Sequence, residues 1–585
     1  MIEPKKLAIV GGGPRGLAAL ESIYCSLVAK GIPNILKTQL FEARQLPGAG
    51  LVYDISQPDT NWLNFSQRAL TLAKRDRVKC EFLVIPEFPS YHDWSGYIES
   101  KDSCLLPDTF PLRSTLGKYL NERFESIAYV LKKAQLLEVI LIEVMETEWN
   151  NENFRIIAKD GTVYNADELV LTIGHQPTKH SEQMVQWIAY NRENSSVDLF
   201  TDPYPVERVL SSDVLTPGSV VALRGFGLAM IDMMRALTIG LGGKFRTTDA
   251  STKELTYVKS GREPFRIIPF SLDGLPMSPK PLNSEIDHWF LPTESEKVIF
   301  GNQIRTIAKE GESSSPLFII EAISTIILRV YKGLGDKAAI KTCSDDELIS
   351  VIIAWLNNSD FEHRLLIAKS DLPLDVMKAF IGMACGTKSA SLDFCIGQVW
   401  RHCQPILYKS VSFSNLKDNV IADIIGLDER LKRYSYGPPV ESLQQLLALV
   451  DAEILDLKFI DNPNISTTKK GWKLATNNDK IVANIMVNSV LDPAKLLEMN
   501  SSIVRHLLEE SLVKPVHGKL GIKTKKNACV QLAKGEVIPL AVLGRLSKGT
   551  IVGVDAVLQC FEDRANFWSN GVFERITNLK KGSKV

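Results

Sequence analysis

Residues 7–20 read Leu-Ala-Ile-Val-Gly-Gly-Gly-Pro-Arg-Gly-Leu-Ala-Ala-Leu. The first four residues are apolar and two of them are β-branched, which is typical of a buried parallel strand. Gly11, Gly13 and Gly16 then satisfy the pattern G-x-G-x-x-G, and the residues after them predict a helix through Ile23. The three glycines permit a tight turn, a close approach of the backbone to a pyrophosphate, and close packing of helix on strand. Because the first N–H groups of such a helix attract phosphate, the stretch predicts a dinucleotide-binding turn.

A second strand with an acid at its end follows this helix. Residues 35–41 are predicted to form the strand, and Glu42 comes 31 residues after Gly11. That separation exceeds the usual one of about 20 residues, and the loop 30–34 accounts for the excess. A carboxylate at this strand end can accept both hydroxyls of an adenosine ribose. The order strand, glycines, helix, strand and acid favours a nucleotide site over a glycine-rich turn that binds nothing.

A second glycine turn follows the predicted strand 219–224. Gly225 and Gly227 match the first two glycines of the pattern, whereas Met230 occupies the third position. The third glycine serves helix–strand packing rather than phosphate contact, so its loss widens the packing without removing the site. The alternative is a degenerate second fold that no longer binds nicotinamide.

The next predicted strand, 254–259, ends without a carboxylate. NAD needs an acceptor there for its ribose hydroxyls, whereas NADP needs a cation for its additional phosphate. Arg262 supplies a cation just beyond this strand end, so the sequence favours NADP(H). The alternative for Arg262 is an ordinary surface arginine.

The composition excludes several classes of protein. The 585 residues carry 68 Lys+Arg and 68 Asp+Glu, and this zero net charge argues against a nucleic-acid partner. None of the nine cysteines lies closer than eight residues to the next, so there is no C-x-x-C pair for disulfide exchange or a zinc ribbon. His363 and His402 have no partners at metal-ligand spacing, so no metal site is predicted.

The chain is predicted to be cytoplasmic. Its apolar beginning looks like a secretory signal, but the residues Gly11 to Arg15 interrupt the apolar run that a signal requires. The most apolar later window, 316–331, contains Glu321 and Arg329 and is too short to span a bilayer. No membrane partner is therefore expected.

Together with further segments, these motifs resemble the FAD/NAD(P)-binding flavoprotein family related to flavin-dependent, N-hydroxylating monooxygenases. The similar segments are 11–16, 41–44, 47–53, 62–65, 110–113, 167–177 and 537–555. At the second turn, Gly225, Gly227, Leu228 and Asp232 match the family pattern GxGLxxxD. The resemblance covers about 1–285 and 480–570, and it implies that FAD occupies the first fold and a nicotinamide cofactor the second.

The resemblance also implies which residues contact the cofactors. The candidates for FAD are Gly11, Gly13, Pro14, Arg15, Gly16, Glu42, Ala43, Arg44, Tyr53, Asn64, Arg113, Thr172, Gly174, Gly544 and Asp555. The candidates for NADP(H) are Gly225, Gly227, Leu228 and Arg262. Asp555 has the alternative role of a helix cap. The two candidates for a catalytic role are Asn64, as a polar partner of flavin or nicotinamide, and His92, as a proton donor or else a structural histidine.

The predicted fold class is α/β, with two Rossmann-like dinucleotide-binding domains and an all-α insertion. The FAD domain, a three-layer ββα unit, is predicted from 1–215 and 480–575, with a strand at 481–489 that returns the chain to it. The NAD(P) domain is predicted from 216–290 and 455–479. Helical periodicity with few strand signals predicts the insertion, 291–454, which either roofs the active site or mediates association into an oligomer.

With FAD and NADPH both bound, hydride transfer from nicotinamide to flavin is the expected half-reaction. The electrons then pass to a disulfide, to O2 or to another small acceptor, and the absence of paired cysteines excludes the disulfide. The resemblance favours activation of O2 and hydroxylation of a small molecule, in particular at an amino group. Two alternatives stay open: an NAD(P)H oxidase or reductase of a small acceptor, and a non-catalytic FAD-binding regulatory or interaction protein.

Overall fold

A computed structural model of the chain describes residues 3–98, 104–532 and 535–582. Its largest sheet consists of strands β1 (Lys5–Val10), β2 (Leu36–Phe41), β5 (Leu137–Ile140), β9 (Glu168–Leu171), β19 (Cys529–Gln531) and β20 (Val537–Val542). Their order is β19-β20-β9-β1-β2-β5, and all neighbours are parallel except β19 and β20. The predicted strands on both sides of the first glycine turn are thereby confirmed as neighbours at the centre of one parallel sheet.

This sheet is the middle of three layers. One face carries helices α1 (Pro14–Ala29), α3 (Arg113–Lys133) and α16 (Arg564–Gly582). The other face carries an antiparallel sheet of β6 (Val144–Trp149), β7 (Phe154–Ala158) and β8 (Val163–Ala166), together with α15 (Ser502–Glu509). Leu7 and Ile9 of β1 pack in the helical layer, whereas Ala8 and Val10 pack in the layer of the small sheet. The predicted three-layer ββα arrangement is confirmed.

A second parallel sheet contains β10 (Asp198–Phe200), β11 (Val220–Arg224), β14 (Arg266–Phe270) and β18 (Ile485–Asn488), in the order β10-β18-β11-β14. Helix α6 (Leu228–Ala236) follows β11 after the second glycine turn. An antiparallel sheet of β15 (Asn464–Thr468), β16 (Gly471–Ala475) and β17 (Lys480–Ala483) packs against it through Trp472 and Leu474. The remaining short elements are β3 (Val78–Lys79), β4 (Val84–Ile85), β12 (Lys244–Asp249), β13 (Glu254–Val258), α2 (Tyr91–Ser95), α4 (Glu182–Glu193) and α5 (Glu207–Leu210).

Two predictions about this second sheet are wrong. The segment 481–489 does not return to the FAD domain, because its strand β18 pairs with β10 and β11 of the second sheet. The strand β10 also belongs to this second sheet, although it lies within the range 1–215 that is predicted for the FAD domain. The strand at 254–259 does not lie beside β11, because β13 forms a separate hairpin with β12, and β14 takes the place beside β11. A strand of a parallel sheet is covered on both faces, as β14 is. Most residues of β12, the partner of β13 in the hairpin, are instead exposed.

The segment 291–454, all of which is described, contains helices and no strand. The α-helices between residues 284 and 451 are α7 (Ser284–His288), α8 (Glu294–Glu310), α9 (Leu317–Gly333), α10 (Asp345–Asn357), α11 (Pro373–Ala384), α12 (Leu392–Val411), α13 (Asp418–Ser435) and α14 (Val440–Asp451). Their apolar core is continuous with Met230 and Met233 of α6, so the insertion packs directly on the second sheet's helix. None of the described helices is long and apolar enough to traverse a lipid bilayer.

A buried ion cluster ties α1 to α3. The carboxylate of Glu21, which is 7% exposed, accepts from Arg75 Nη1 at 2.6 Å and from Arg123 Nη2 at 2.8 Å. Both arginines are also buried. A buried charge without a partner is far more costly than a buried pair. The Glu21 carboxylate is such a partner, since it neutralises part of the charge of two guanidinium groups that water cannot reach.

We expect Glu21→Ala to lower the free energy of unfolding by about 3–5 kcal/mol, because it leaves Arg75 and Arg123 buried without a carboxylate. Urea unfolding followed by circular dichroism measures the change. Glu125→Ala, at an exposed position of α3, is the matched control and should change stability by less than about 0.5 kcal/mol. Equal stability of the two variants would contradict a stabilising role for the cluster.

Candidate active site

The first glycine turn is required by backbone packing. Gly11 has a φ of +103°, and a Cβ atom there would lie 2.7 Å from the carbonyl oxygen of Thr172. A Cβ atom on Gly16 would lie 2.2 Å from the carbonyl oxygen of Gly11. The hydroxyl of Thr172 donates to the carbonyl groups of Val10 and Gly11, at 3.1 and 2.5 Å. Strand β9 therefore braces the turn that connects β1 to α1.

Helix α1 begins at the carboxyl edge of the large sheet with its N-terminus uncapped by a side chain. Gly13 occupies the N-cap, Pro14 is the first helical residue, and the first turn contains no acidic residue. On Gly13 a Cβ atom would be 3.4 Å from the nearest heavy atom, the Cα of Gly50. Free N–H groups and the positive end of the helix dipole at such a place fit the diphosphate of FAD.

Glu42 lies at the end of β2, directly beside this turn. Its Oε2 accepts from the backbone N–H of Gly12 at 2.7 Å, and its Oε1 accepts from the N–H of Arg44 at 3.0 Å. Burial raises the pKa of this carboxyl group. Ala43 and Arg44 are exposed, and Arg44 pairs with Asp54 at 2.8 Å. The position of the acid next to the phosphate turn fits an adenosine ribose, so the residues of this region are compatible with FAD.

The guanidinium of Arg15 binds the chain's own C-terminal segment. It donates to the carbonyl groups of Val554 and Gln559, at 2.8 and 3.2 Å. Gly544, with a φ of +95°, makes room for this arginine, because a Cβ atom there would lie 2.3 Å from Arg15 Cδ. These two predicted FAD residues thus fasten the glycine turn to the segment that follows β20.

Asp555 lies in an ion cluster and caps no helix. Its carboxylate lies 2.6 Å from Lys432 Nζ, 2.8 Å from Lys548 Nζ and 3.3 Å from Arg545 Nη1. These cations hold the pKa of Asp555 well below its usual range although the group is buried. Since α16 begins only at Arg564, the alternative role of Asp555 as a helix cap is wrong.

Asn64 lies where the three units meet. Its side-chain amide donates to the backbone carbonyl of Tyr436 in the insertion at 3.1 Å, and its own backbone carbonyl accepts from Lys280 Nζ. The ammonium of Lys280 also lies 4.9 Å from the centre of the Phe65 ring. Lys280 belongs to the segment after β14, and its backbone N–H donates to the carbonyl of Pro438 at 3.1 Å. The insertion therefore covers the segment that the resemblance places beside the flavin, which supports the role of a roof.

The other catalytic candidate, His92, is held by a backbone contact. Its Nε2 lies 2.9 Å from the carbonyl oxygen of Gln67, and its ring packs on Tyr97 with centroids 4.8 Å apart. A ring nitrogen that donates a hydrogen bond to a carbonyl keeps its proton in that bond, so the proton is not offered to a substrate. This geometry fits the structural alternative for His92 better than a proton donor.

Arg113 pairs across the domain boundary. Its Nη2 lies 2.6 Å from Asp232 Oδ2 on α6, and the hydroxyl of Tyr204 donates to the same oxygen at 2.6 Å. Arg235 stacks over Trp62 at 3.9 Å and donates to Ser442 and Gln445 of α14. Asp232 of the predicted GxGLxxxD pattern therefore holds the two glycine-turn domains together.

Tyr53 and Gly174 are two further candidates for contact with FAD. The carbonyl of Tyr53 packs against Gly117 of α3, where a Cβ atom would approach it to 1.7 Å. Gly174 has a φ of +65° and open space where a Cβ atom would be. Its neighbour His175 lies 3.3 Å from Arg545, which places the end of β9 beside the Asp555 cluster.

The second turn keeps the geometry of a nucleotide site. Gly225 has a φ of +115°, and Gly227 is the N-cap of α6 without a side-chain cap. Leu228 is the first residue of α6 and is half-buried. Met230 is fully buried, so its side chain fills the space that a third glycine would leave. The core therefore accommodates the larger residue at the position of the third glycine.

Arg262 lies at the other end of α6. A Cβ atom on Gly242, which follows the end of α6, would lie 2.3 Å from Arg262 Nη2, and Ser260 Oγ donates to the carbonyl of Leu241 at 2.9 Å. The nine residues of α6 span about 14 Å, and this length separates Arg262 from the N-terminal end of α6, where a phosphate would bind. Because β13 is not the strand beside β11, Arg262 does not take the strand-end position on which its predicted contact with NADP rests.

Sequence patterns did not reveal Lys280, Tyr436 and Lys432. Lys280 lies between Pro279 and Pro281 in an irregular segment, and the other two lie at the end of α13 within the insertion. Long-range contacts alone bring them to Asn64 and Asp555. No local motif marks residues of this kind.

Comparisons with known proteins show what this chain is similar to. A family model described as FAD-NAD(P)-binding matches residues 8–176. Nitrosuccinic acid synthase npaA of Aspergillus oryzae is 31% identical over 551 residues, which cover 87% of this chain and 82% of that protein. An L-aspartate N-monooxygenase of Streptomyces cremeus is 23% identical over 518 residues, covering 77% of this chain and 74% of that protein. The structure of an ornithine hydroxylase from Pseudomonas aeruginosa aligns with a TM-score of 0.42 and 11% identity over 98% of this chain and all of that one.

The first relative is similar enough, over enough of both chains, to establish the family, and the resemblance inferred from the sequence is confirmed. The prediction of an FAD-dependent enzyme that uses NAD(P)H is confirmed with it. The chain belongs to the family of FAD- and NAD(P)-binding N-monooxygenases, which hydroxylate a small molecule with O2.

Proposed function

We propose that this chain hydroxylates the amino group of an acidic amino acid, with L-aspartate as the first candidate and NADPH as the electron donor. The observation that carries the proposal is the similarity to nitrosuccinic acid synthase over most of both chains. Two further relatives are L-aspartate N-monooxygenases that form nitrosuccinate. When bound, FAD supplies the hydride acceptor and the activation of O2. The chain's own contribution is to bind the substrate, orient it and control its protons.

The charges around Lys280 support an anionic substrate. Asp108 pairs with Arg68 at 2.8 Å, and Asp287 contacts both Arg68 and Arg401. These two carboxylates offset the two arginines. Lys280 forms no ion pair with any residue that the structure describes, so it remains as an additional cation beside Asn64. A carboxylate of the substrate would be its counter-ion.

The protonation of Lys280 depends on what binds beside it. Burial, with a contribution from the neighbouring Arg401, lowers the pKa of Lys280 to about 7. A carboxylate close to the ammonium would raise this pKa again. Binding of an acidic substrate above pH 7 is therefore coupled to the uptake of a proton by Lys280.

The proposed reaction is tested by supplying the FAD-loaded enzyme with NADPH, O2 and L-aspartate. We expect NADPH oxidation that depends on aspartate, and N-hydroxyaspartate or its further oxidised products by mass spectrometry. L-Ornithine and L-asparagine are the comparison substrates, since they lack the second carboxylate. Oxidation of NADPH to hydrogen peroxide alone, with every amino acid, would indicate an oxidase, and product from ornithine rather than aspartate would contradict the acidic substrate.

Replacement of Lys280 tests the recognition of the carboxylate. We expect Lys280→Met to raise the KM for L-aspartate at least about tenfold, the loss of a charge-assisted contact of about 1.5–3 kcal/mol. The FAD content and the KM for NADPH should stay unchanged. Lys259→Met, at an exposed position just beyond β13, is the matched control and should leave all three quantities unchanged.

The pH profile provides a second readout of the same residue. In the wild-type enzyme the affinity for L-aspartate should be constant below pH 7 and fall towards tenfold per pH unit above it, because Lys280 has then lost its proton before the substrate binds. The Lys280→Met enzyme should lose this dependence. An unchanged KM and an unchanged profile in the variant would contradict the role of Lys280.

A further inference from the structure

A cavity of about 780 Å³ lies between the turn that joins α12 to α13 and two later segments, one before β19 and one after β20. Its wall includes Phe413, Ser414 and Asn415 from the turn, and Lys523, Lys525 and Lys526 from the segment before β19. Of the described residues that line it, none belongs to a glycine turn or to the junction of Asn64 with Lys280. The cavity is therefore separate from the contacts assigned above to FAD, nicotinamide and the amino acid.

The charge of the cavity wall is predominantly positive. Lys523 pairs with Asp418, at 3.0 Å to both carboxylate oxygens, and Asp418 is the one carboxylate among the described lining residues. Lys525 and Lys526 form no ion pair with any described residue, and Lys526 lies 4.6 Å from the ring of Phe567. Two lysines thus remain at the rim without a counter-ion.

A buried arginine lies directly behind this wall. Arg564 is 8% exposed, its Nη2 donates to Thr524 Oγ1 at 2.8 Å, and its guanidinium lies 4.9 Å from the centre of the Phe413 ring. Its Nε and Nη1 find no acceptor within the described part of the chain. Burial and the neighbouring Arg15 lower the pKa of this guanidinium to about 9. An unpaired cation in this position strengthens the attraction of the cavity for anions.

The cavity also has an apolar floor and polar groups in its wall. Leu416, Ile421 and Val516 are buried lining residues. The hydroxyl of Ser414 is buried and has no partner among the described residues, while Thr550 Oγ1 accepts from the N–H of Thr524 at 3.0 Å. A ligand of this site therefore combines an anionic group for the lysines with a body that packs on Phe413 and the aliphatic floor.

We propose that this cavity binds an organic phosphate of nucleotide size, independently of the FAD and NAD(P) turns. Its volume falls within the range of about 300–1,000 Å³ that holds ligands of this size, and it exceeds the needs of an amino acid. Lysines bind phosphate as point charges, which suits a cluster of flexible ammonium groups better than the planar recognition of a carboxylate. Phe413, whose ring lies 4.9 Å from the Arg564 guanidinium, adds aromatic surface to the wall that suits contact with a base.

Isothermal titration of ADP into the FAD-loaded protein, with NADP+ at saturation, tests the proposal. We expect saturable binding to one site. The double variant Lys525→Glu/Lys526→Glu should weaken it about tenfold or more. Both lysines are exposed, so the fold should be retained, and FAD content and melting temperature check this. The matched control is Lys469→Glu/Lys470→Glu, an exposed lysine pair between β15 and β16 with the same change of charge.

Three results would overturn the proposal. The first is the absence of ADP binding. The second is an equal loss in both double variants, which would indicate a general effect of net charge. The third is ADP binding that disappears when NADP+ or FAD is saturating, which would place ADP at a glycine turn. Because the assay does not involve hydroxylation, it stays decisive if the proposed amino-acid substrate is wrong.

Discussion

Gly16 has no room for a side chain, and the arrangement of the first domain depends on this contact. A Cβ atom there would lie 2.2 Å from the carbonyl oxygen of Gly11, while Thr172 of the neighbouring strand holds that same carbonyl. The start of α1 is thereby fixed at the carboxyl edge of the sheet, beside Glu42. Arg15, the next residue but one after Gly13, then anchors the C-terminal segment that closes the sheet. One close backbone contact thus determines the position of the phosphate-binding turn, of Glu42 beside it and of the C-terminal segment that Arg15 binds.

The candidate active site combines three parts of the chain. The first domain contributes Asn64, the segment after β14 contributes Lys280, and the insertion contributes Tyr436. The Arg113–Asp232 pair and the contacts of Arg235 with α14 hold these parts in register. Because Arg235 and its contacts with α14 are buried, the insertion is a structural component of this junction rather than an appended module.

Local sequence patterns predicted the elements whose determinants are local. β1, the glycine turn, α1 and β2 follow from residues 7–42, because the strand, the turn and the helix are each encoded within a few neighbouring residues. β18 was assigned to the wrong sheet, because a buried apolar run predicts a parallel strand without indicating its partners. Arg262 is predicted at a strand end of the second sheet for a related reason: in the sequence β13 looks like the next strand of that sheet, whereas it pairs with β12 in a separate hairpin. Lys280 had no motif at all, since only the packing of distant segments brings it to Asn64.

The affinity for FAD of the Gly16→Ala variant, measured by flavin fluorescence on reconstitution of the apoprotein, tests the central constraint most directly. The added methyl group must displace the Gly11 carbonyl, so we expect the dissociation constant to rise at least about tenfold. Gly426→Ala, in the interior of α13 with open space at the Cβ position, adds the same methyl group and should bind FAD like the wild type. Wild-type affinity in Gly16→Ala would contradict the account, because the glycine turn would then not govern the binding of the cofactor.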